Sequence, residues 1–208
     1  DAAGYDISLS SILTVAGGEL ELGAGSDLSI TSLLTVDGGV LDALNGTIDA
    51  DSAVTCSAGT LTAPSGDFNI AGDIDLTGGT FDDSAGTVIF DGTVSVTSDG
   101  GTFNNITIGT DSSGAAVTLA DAADIDGDLA FNTAGGSAEL DISSRTVNFA
   151  GGAFDLTNAD VFTITGSTVV FDGDSTLTGS GNPFNNIQLG SASAGGSLTA
   201  ADQLDIDG

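Results

Sequence analysis

Four stretches decide how this sequence folds: LTVAGGELEL (residues 13–22), LTVDGGVLDA (34–43), VTCSAGTLTA (54–63) and IDLTGGTFDD (74–83). Their paired small residues, Gly17-Gly18, Gly38-Gly39, Ala58-Gly59 and Gly78-Gly79, are spaced by 21, 20 and 20. Aligned on those pairs, the chain falls into apolar columns. Leu13, Leu34, Val54 and Ile74 form one, Val15, Val36, Cys56 and Leu76 a second, and Leu20, Leu41, Leu61 and Phe81 a third. Leu28, Ile48, Phe68 and Val88 stand nine or ten places after the second small residue of each pair. Within each stretch apolar and polar residues alternate, the period-two signature of strands with one buried face. Gly, Asp, Asn and Ser fill the gaps, which is turn chemistry. Each unit of about twenty residues therefore holds three short strands and three corners. Units with fixed-period columns bury their apolar faces on one another by stacking. The reading is all-β: a parallel β-helix (solenoid) of roughly ten coils, about 50 Å long at ~4.8 Å per coil. A β-sandwich of short strands is the competing fold, but sandwiches do not produce a twenty-residue period with aligned columns.

A longer echo lies over the short one. FNNITIG (103–109) returns as FNNIQLG (184–190), TVIFDG (87–92) as TVVFDG (168–173), and DIDG (124–127) as DIDG (205–208). Residues 87–127 are thus echoed by 168–208 at a constant offset of 81, with no insertion or deletion. Four coils of about twenty residues account for that offset, so the phrase is expected to recur on the same wall four levels up. Register is less clean between 110 and 166, where Thr110–Gly114 reads as an inserted corner loop. Tyr5-Asp6-Ile7-Ser8 and Val15-Ala16-Gly17-Gly18 also echo Leu140-Asp141-Ile142-Ser143 and Phe149-Ala150-Gly151-Gly152. Residues 1–208 therefore read as one continuous array.

Composition narrows the function. Thirty acidic residues face a single basic one, Arg145, for a net charge of −29. Phosphate backbones are bound by Lys and Arg, so nucleic acid is excluded as a partner, and an anionic membrane surface is disfavoured. Only Glu19, Glu21 and Glu139 are Glu; the other acids are Asp, which suits turns. Self-repulsion on this scale needs salt or divalent ions to relieve it. No apolar run reaches membrane-helix length, so no membrane insertion is expected. Cys56 is the single cysteine, so no internal disulfide forms. Its place in the Val15/Val36/Leu76 column reads as a small buried hydrophobe.

The phrases GTVIFDG (86–92), GTFNNITIG (101–109), AVTLADAADIDGDLAF (116–131) and AGGAFDLTNADVFTITG (150–166) resemble repeats of very large bacterial surface and secreted proteins. They are similar to the β-solenoids of filamentous-haemagglutinin and autotransporter-type adhesins, most closely over 72–208. The resemblance implies a right-handed parallel β-helix, export to the extracellular space or cell surface, and roles in adhesion, stalks or surface layers. It implies no catalytic residues. The chain departs from ordinary members in lacking Lys and His.

Candidate chemistry is sparse. Asp124, Asp126 and Asp128, repeated as Asp205 and Asp207, place alternate carboxylates on one strand face. Hard cations such as calcium want several such oxygens, and Asp73 and Asp75 repeat the pattern. The bland reading is a solvated strand face ending in a turn, and the fold requires no cofactor. Asp82 and Asp83 would serve a glycosidase only at a set carboxylate separation. Handling an acidic polysaccharide also calls for basic or imidazole groups, and the chain has no Lys or His; it reads as no enzyme. Arg145 reads as an outward surface residue. Asn104-Asn105 and Asn185-Asn186 read as corner residues with left-handed backbone that cap neighbouring coils. Thr-x-Thr steps at 60–62, 163–165 and 176–178 fall at different places in the repeat, which argues against an ice-binding ladder.

The expectation is therefore a structural extracellular rod, a fibre subunit or segment of a giant cell-surface protein. Its partners would be itself, end to end, or further repeats of a longer chain. The alternative is an adhesin segment binding a glycan or cell surface through corner loops 110–114 and 190–196.

Overall fold

The computed structural model describes residues 4–191 and 195–207. Those residues form strands and no helix, hence none long and apolar enough to cross a membrane. Every strand pairing is parallel. The chain is a parallel β-solenoid of about nine turns, roughly 21 residues each.

Three walls surround one core. The first is an unbroken sheet of ten strands, from Ile7–Leu9 and Asp27–Ile30 up to Asp174–Thr178 and Ser197–Ala200. Ten rungs on one wall require nine turns, one fewer than the coils expected. The second wall runs from Leu13–Val15 to Val161–Thr163. In the lower coils it continues into the third wall through the nine-residue strands Leu34–Asp42 and Val54–Thr62. These bend where the small-residue pairs sit, with register shifts at Val36/Asp37 and Asp37/Val40. Gly38 (φ 104°) and Gly59 (φ 81°) supply the bend. The upper third wall is a separate sheet from Thr102–Phe103 to Asn186–Leu189.

The predicted columns are real. Leu13 pairs with Leu34, Leu34 with Val54 and Val54 with Ile74. Leu28, Ile48, Phe68 and Val88 stack likewise. Cys56 is fully buried, and burial pushes its thiol pKa up. Phe residues fill the wider upper coils: Phe149, Phe154, Phe162, Phe171 and Phe184 pack edge to face at centroid distances of 5.2–6.2 Å, the arrangement favoured by ring quadrupoles.

The long echo is not four whole coils. Thr87–Phe90 lies in the first wall, whereas its copy Thr168–Phe171 lies in the third. Asn105–Ile108 is in the first wall and its copy Asn186–Leu189 in the third; Thr93–Thr97 is in the second and its copy Asp174–Thr178 in the first. Eleven strands separate each pair. At three strands per turn that is three turns and two walls. The upper turns are longer than twenty residues: Ile106, Leu129, Phe154, Leu177 and Ala200 stack at spacings of 23, 25, 23 and 23. An 81-residue step therefore falls one wall short of four turns. The unit the chain reuses is a strand with its corner, which fits any wall because every wall asks for the same inward–outward alternation.

Candidate functional site

The acidic residues concentrate at corners, and most are engaged there. The carboxylates of Asp42, Asp75, Asp82, Asp141 and Asp155 each accept the backbone N–H two residues on, at 2.8–3.2 Å. Two of those N–H groups belong to Leu44 (φ 48°) and Ser84 (φ 46°), non-glycine residues in left-handed backbone. The Asp side chain offsets the strain such residues carry. Others clamp one coil to the next. Asp121 accepts from Ser98 N, Ser98 Oγ and Asp99 N at 2.8–3.2 Å. Its counterpart 81 residues on, Asp202, accepts from Gly179 N and Ser180 N at 2.9 and 2.6 Å.

The calcium candidates separate in the same way. Asp128 turns its carboxylate to Ala153 N at 2.7 Å. Asp73 accepts from Ser95 N at 2.7 Å. Hydrogen bonds from the Thr77 side chain and then its backbone hold Asp75 below the usual carboxylate range. Asp205 and Asp207 are exposed on the last described coil. Asp124 and Asp126 remain together on one corner, with Asp172 near them. Burial, then Asp126, then Asp172, raises the pKa of Asp124. Among the described residues no group of three or more His, Cys, Asp or Glu is arranged to hold a metal ion.

The sequence reading missed that this corner has a twin. Asp124, Asn148 and Val170 stack in one outward column, and Asp126, Ala150 and Asp172 follow strand ends on the same three coils. Asp49, Asn69 and Ile89 stack identically, with Asp51, Ala71 and Asp91 beyond them. Asp91 and Asp172 each bury an Oδ1 that has no hydrogen-bond partner. Burial, then Asp49 and Asp51, raises the pKa of Asp91; burial, then Asp51, raises that of Asp49. The signal was present in DADS (49–52), NIAG (69–72) and IFDG (89–92), set against DIDG (124–127), NFAG (148–151) and VFDG (170–173).

Two smaller expectations change. Neither Asn104 nor Asn105 has positive φ. Both still bind the coil below, donating from Nδ2 to Gly86 O at 3.1 and 3.2 Å, and Asn105 Oδ1 accepts from Asp128 N above. Asn186 Nδ2 repeats the downward bond to Ser167 O at 2.9 Å. Arg145 is half-buried rather than free on the surface; its Nε donates to Leu119 O at 3.1 Å.

An apolar void of about 20 Å³ lies in the core beside Phe90, Phe103 and Phe154, scarcely one water in size. An open groove of about 320 Å³ runs along Gly92, Ala116, Gly136, Ser137 and Glu139. Loop 110–114 is knotted by Thr110, whose Oγ1 accepts from Ser112 N and Ser113 N. Of loop 190–196, residues 192–194 lie outside the described residues. No family model, no curated protein and no solved structure matches this chain.

Proposed function

We propose that the chain is a structural rod of the extracellular space: a fibre subunit or a segment of a giant cell-surface protein of the filamentous-haemagglutinin or autotransporter kind, stacking end to end. The observation that carries this reading is the unbroken ten-strand wall over a continuous core. Nine turns at ~4.8 Å give a rod about 43 Å long. Its side chains are engaged in holding coil to coil; the Asp carboxylates and Asn amides bind backbone on the same or the neighbouring coil.

The outward column Asp27, Thr47, Asp67, Thr87 supports an exposed, salt-bathed surface. Alternation with Thr keeps its carboxylates two rungs apart, and Thr47 Oγ1 donates to Asp27 at 2.8 Å. The aromatic inventory favours a rod over a glycan-binding segment. Nine of ten Phe are buried, and Tyr5 is the one large aromatic side chain standing in solvent among the described residues.

Negative-stain electron microscopy of the purified chain, with calcium and with chelator, tests the reading. Filaments of uniform width are expected. Filaments lost on chelation would make the free corner carboxylates metal sites. Separate short rods under every condition would remove the fibre reading and turn attention to the adhesin alternative, with glycan screening next.

A further inference from the structure

We infer that the first coil of one copy of this chain docks head to tail on the last described coil of a second copy, with Leu13–Val15 of one laid on Leu204–Ile206 of the other. This rests on the end-to-end reading above and adds the partner and the register.

The chain carries its own template for the junction. Inside the rod, Thr146–Phe149 lies on Ala123–Ile125: Val147 pairs with Ala123, Asn148 with Asp124 and Phe149 with Ile125. Eighty-one residues beyond Ala123, Asp124 and Ile125 stand Leu204, Asp205 and Ile206. The counterpart of the upper strand stands at the start of the chain. Residues 13–31 follow 147–165 at a constant offset of 134, with Leu13-Thr14-Val15-Ala16-Gly17-Gly18 set against Val147-Asn148-Phe149-Ala150-Gly151-Gly152. The template therefore places Leu13 on Leu204, Thr14 on Asp205 and Val15 on Ile206.

The walls agree. The two interior strands share the third wall. Both counterparts are displaced by one wall in the same direction. Leu13–Val15 is in the second wall, and Asp205–Ile206 lies on Pro183–Phe184, between first-wall and third-wall strands in chain order. A neighbouring strand repeats the argument. Ala138–Asp141 lies on Ala115–Leu119, with Leu140 on Val117 and Asp141 on Thr118. Their counterparts are Tyr5 and Asp6, just ahead of the first-wall strand Ile7–Leu9, and Leu198 and Thr199, within the first-wall strand Ser197–Ala200. The offset to Tyr5 and Asp6 is 135, because the chain is one residue longer between Ser8 and Leu13 than between Ser143 and Val147. Two walls of three close in this way. Interior strand Leu129–Phe131 has no counterpart in either end coil.

Burial fits the same register. Val117, Leu140, Ile125, Val147 and Phe149 are buried in the interior. Of their counterparts, Tyr5 is 76% and Ile206 51% exposed, Leu13 and Leu198 are only partly buried, and Val15 is already buried. Parallel pairing of these edges supplies backbone hydrogen bonds as well as apolar contact. The register also keeps carboxylates apart: Thr14 meets Asp205, Ala16 meets Asp207, and Asp6 meets Thr199. Two chains of charge −29 still repel at a distance, so docking is expected to strengthen with salt.

The test is a thiol cross-link between two separately made chains, Thr14→Cys and Asp205→Cys, both at exposed positions and with buried Cys56 left in place. Cα atoms on adjacent rungs lie ~4.8 Å apart, inside the span a disulfide bridges. Mixed under mild oxidation in high salt, they are expected to give a covalent heterodimer, at least roughly tenfold more than Thr55→Cys with Asp205→Cys. Thr55 stands two rungs above Thr14 in the same outward column, hence three rungs and about 14 Å from Asp205 of the docked copy, beyond disulfide reach. Oligomers that form without the Thr14–Asp205 cross-link would overturn this register and leave end-to-end stacking standing. Monomers at every concentration and salt would overturn both.

Discussion

Asp91 and Asp172 stand 81 residues apart on different walls of the rod, and each holds one carboxylate oxygen inside the protein with no hydrogen-bond partner. Each has a small residue, Ala71 or Ala150, one rung below and an Asp one rung further down. The chain thus reproduces a whole three-coil corner, including its electrostatic cost, on a second wall.

That cost has a sign. Asp91, Asp49 and Asp124 have pKa values raised above the ordinary carboxylate value, chiefly by burial and then by neighbouring carboxylates. The folded chain therefore holds these protons to higher pH than the unfolded chain. Their contribution to stability is fully present below about pH 4, the ordinary Asp value, and is lost as pH rises through the raised folded values. Melting temperature should rise as the pH falls from 7 towards the ordinary Asp value near pH 4. Asp91→Asn, which keeps the buried oxygen but removes the charge that burial and the carboxylates of Asp49 and Asp51 oppose, should raise it at pH 7 and shrink the pH dependence. Exposed Asp67→Asn is the control for net charge. A lower melting temperature for Asp91→Asn at pH 7 would count against the account.

The corner clamps work in the other direction. Asp121 holds three donors of the Ser98–Asp99 turn. Asp121→Ala leaves those groups to find water or go unpaired, an expected loss of about 1–3 kcal/mol in urea unfolding. Asp202→Ala, at the same place in the echo but on an end coil, should lose less, because terminal coils fray before the core opens. Equal losses would mean that the end coils are as firmly held as the middle.

The coil was legible because a solenoid writes its fold into columns: Leu13, Leu34, Val54 and Ile74 sit at nearly equal spacing and pair as that spacing demands. What sequence did not show was the wall. Val88 and Val169 occupy the same place in the same phrase yet lie in different sheets, because turn length is set by corner insertions such as Thr110–Gly114, and these carry no periodic signal. The candidate carboxylates were legible as a set and not as individuals. Whether Asp128 faces solvent or Ala153 N depends on which coil lies above it, a relation 25 residues distant in the chain.

Gly59 tests the bend between second and third walls. Its φ is 81°, and an added Cβ would meet the carbonyl oxygen of Gly39 on the coil below. Gly59→Ala therefore combines left-handed strain with a backbone clash, for an expected loss of about 2–3 kcal/mol. Gly25→Ala, at φ 71° with open space around the site, should lose only the conformational part, about 1–2 kcal/mol. The difference in unfolding free energy between the two variants reads the closeness of the coils; no difference would mean that the corner relaxes.

Divalent ions act on this rod either as a screen or as a ligand, and melting curves at matched ionic strength separate the two. Calcium wants six to eight oxygens, while the described residues offer no three acidic side chains arranged around one point. Asp128 is already held by Ala153 N. The expected outcome is that calcium and sodium raise the melting temperature alike, and that chelator lowers it no more than dilution of salt does. Asp128→Asn should lower it in both salts, by about 1 kcal/mol for the charge-assisted bond it weakens. Asp126→Asn, which relieves repulsion on Asp124, should raise it in both. A rise specific to calcium that disappears in Asp126→Asn would show instead that Asp124, Asp126 and Asp172 close around an ion, and would restore the corner as a metal site.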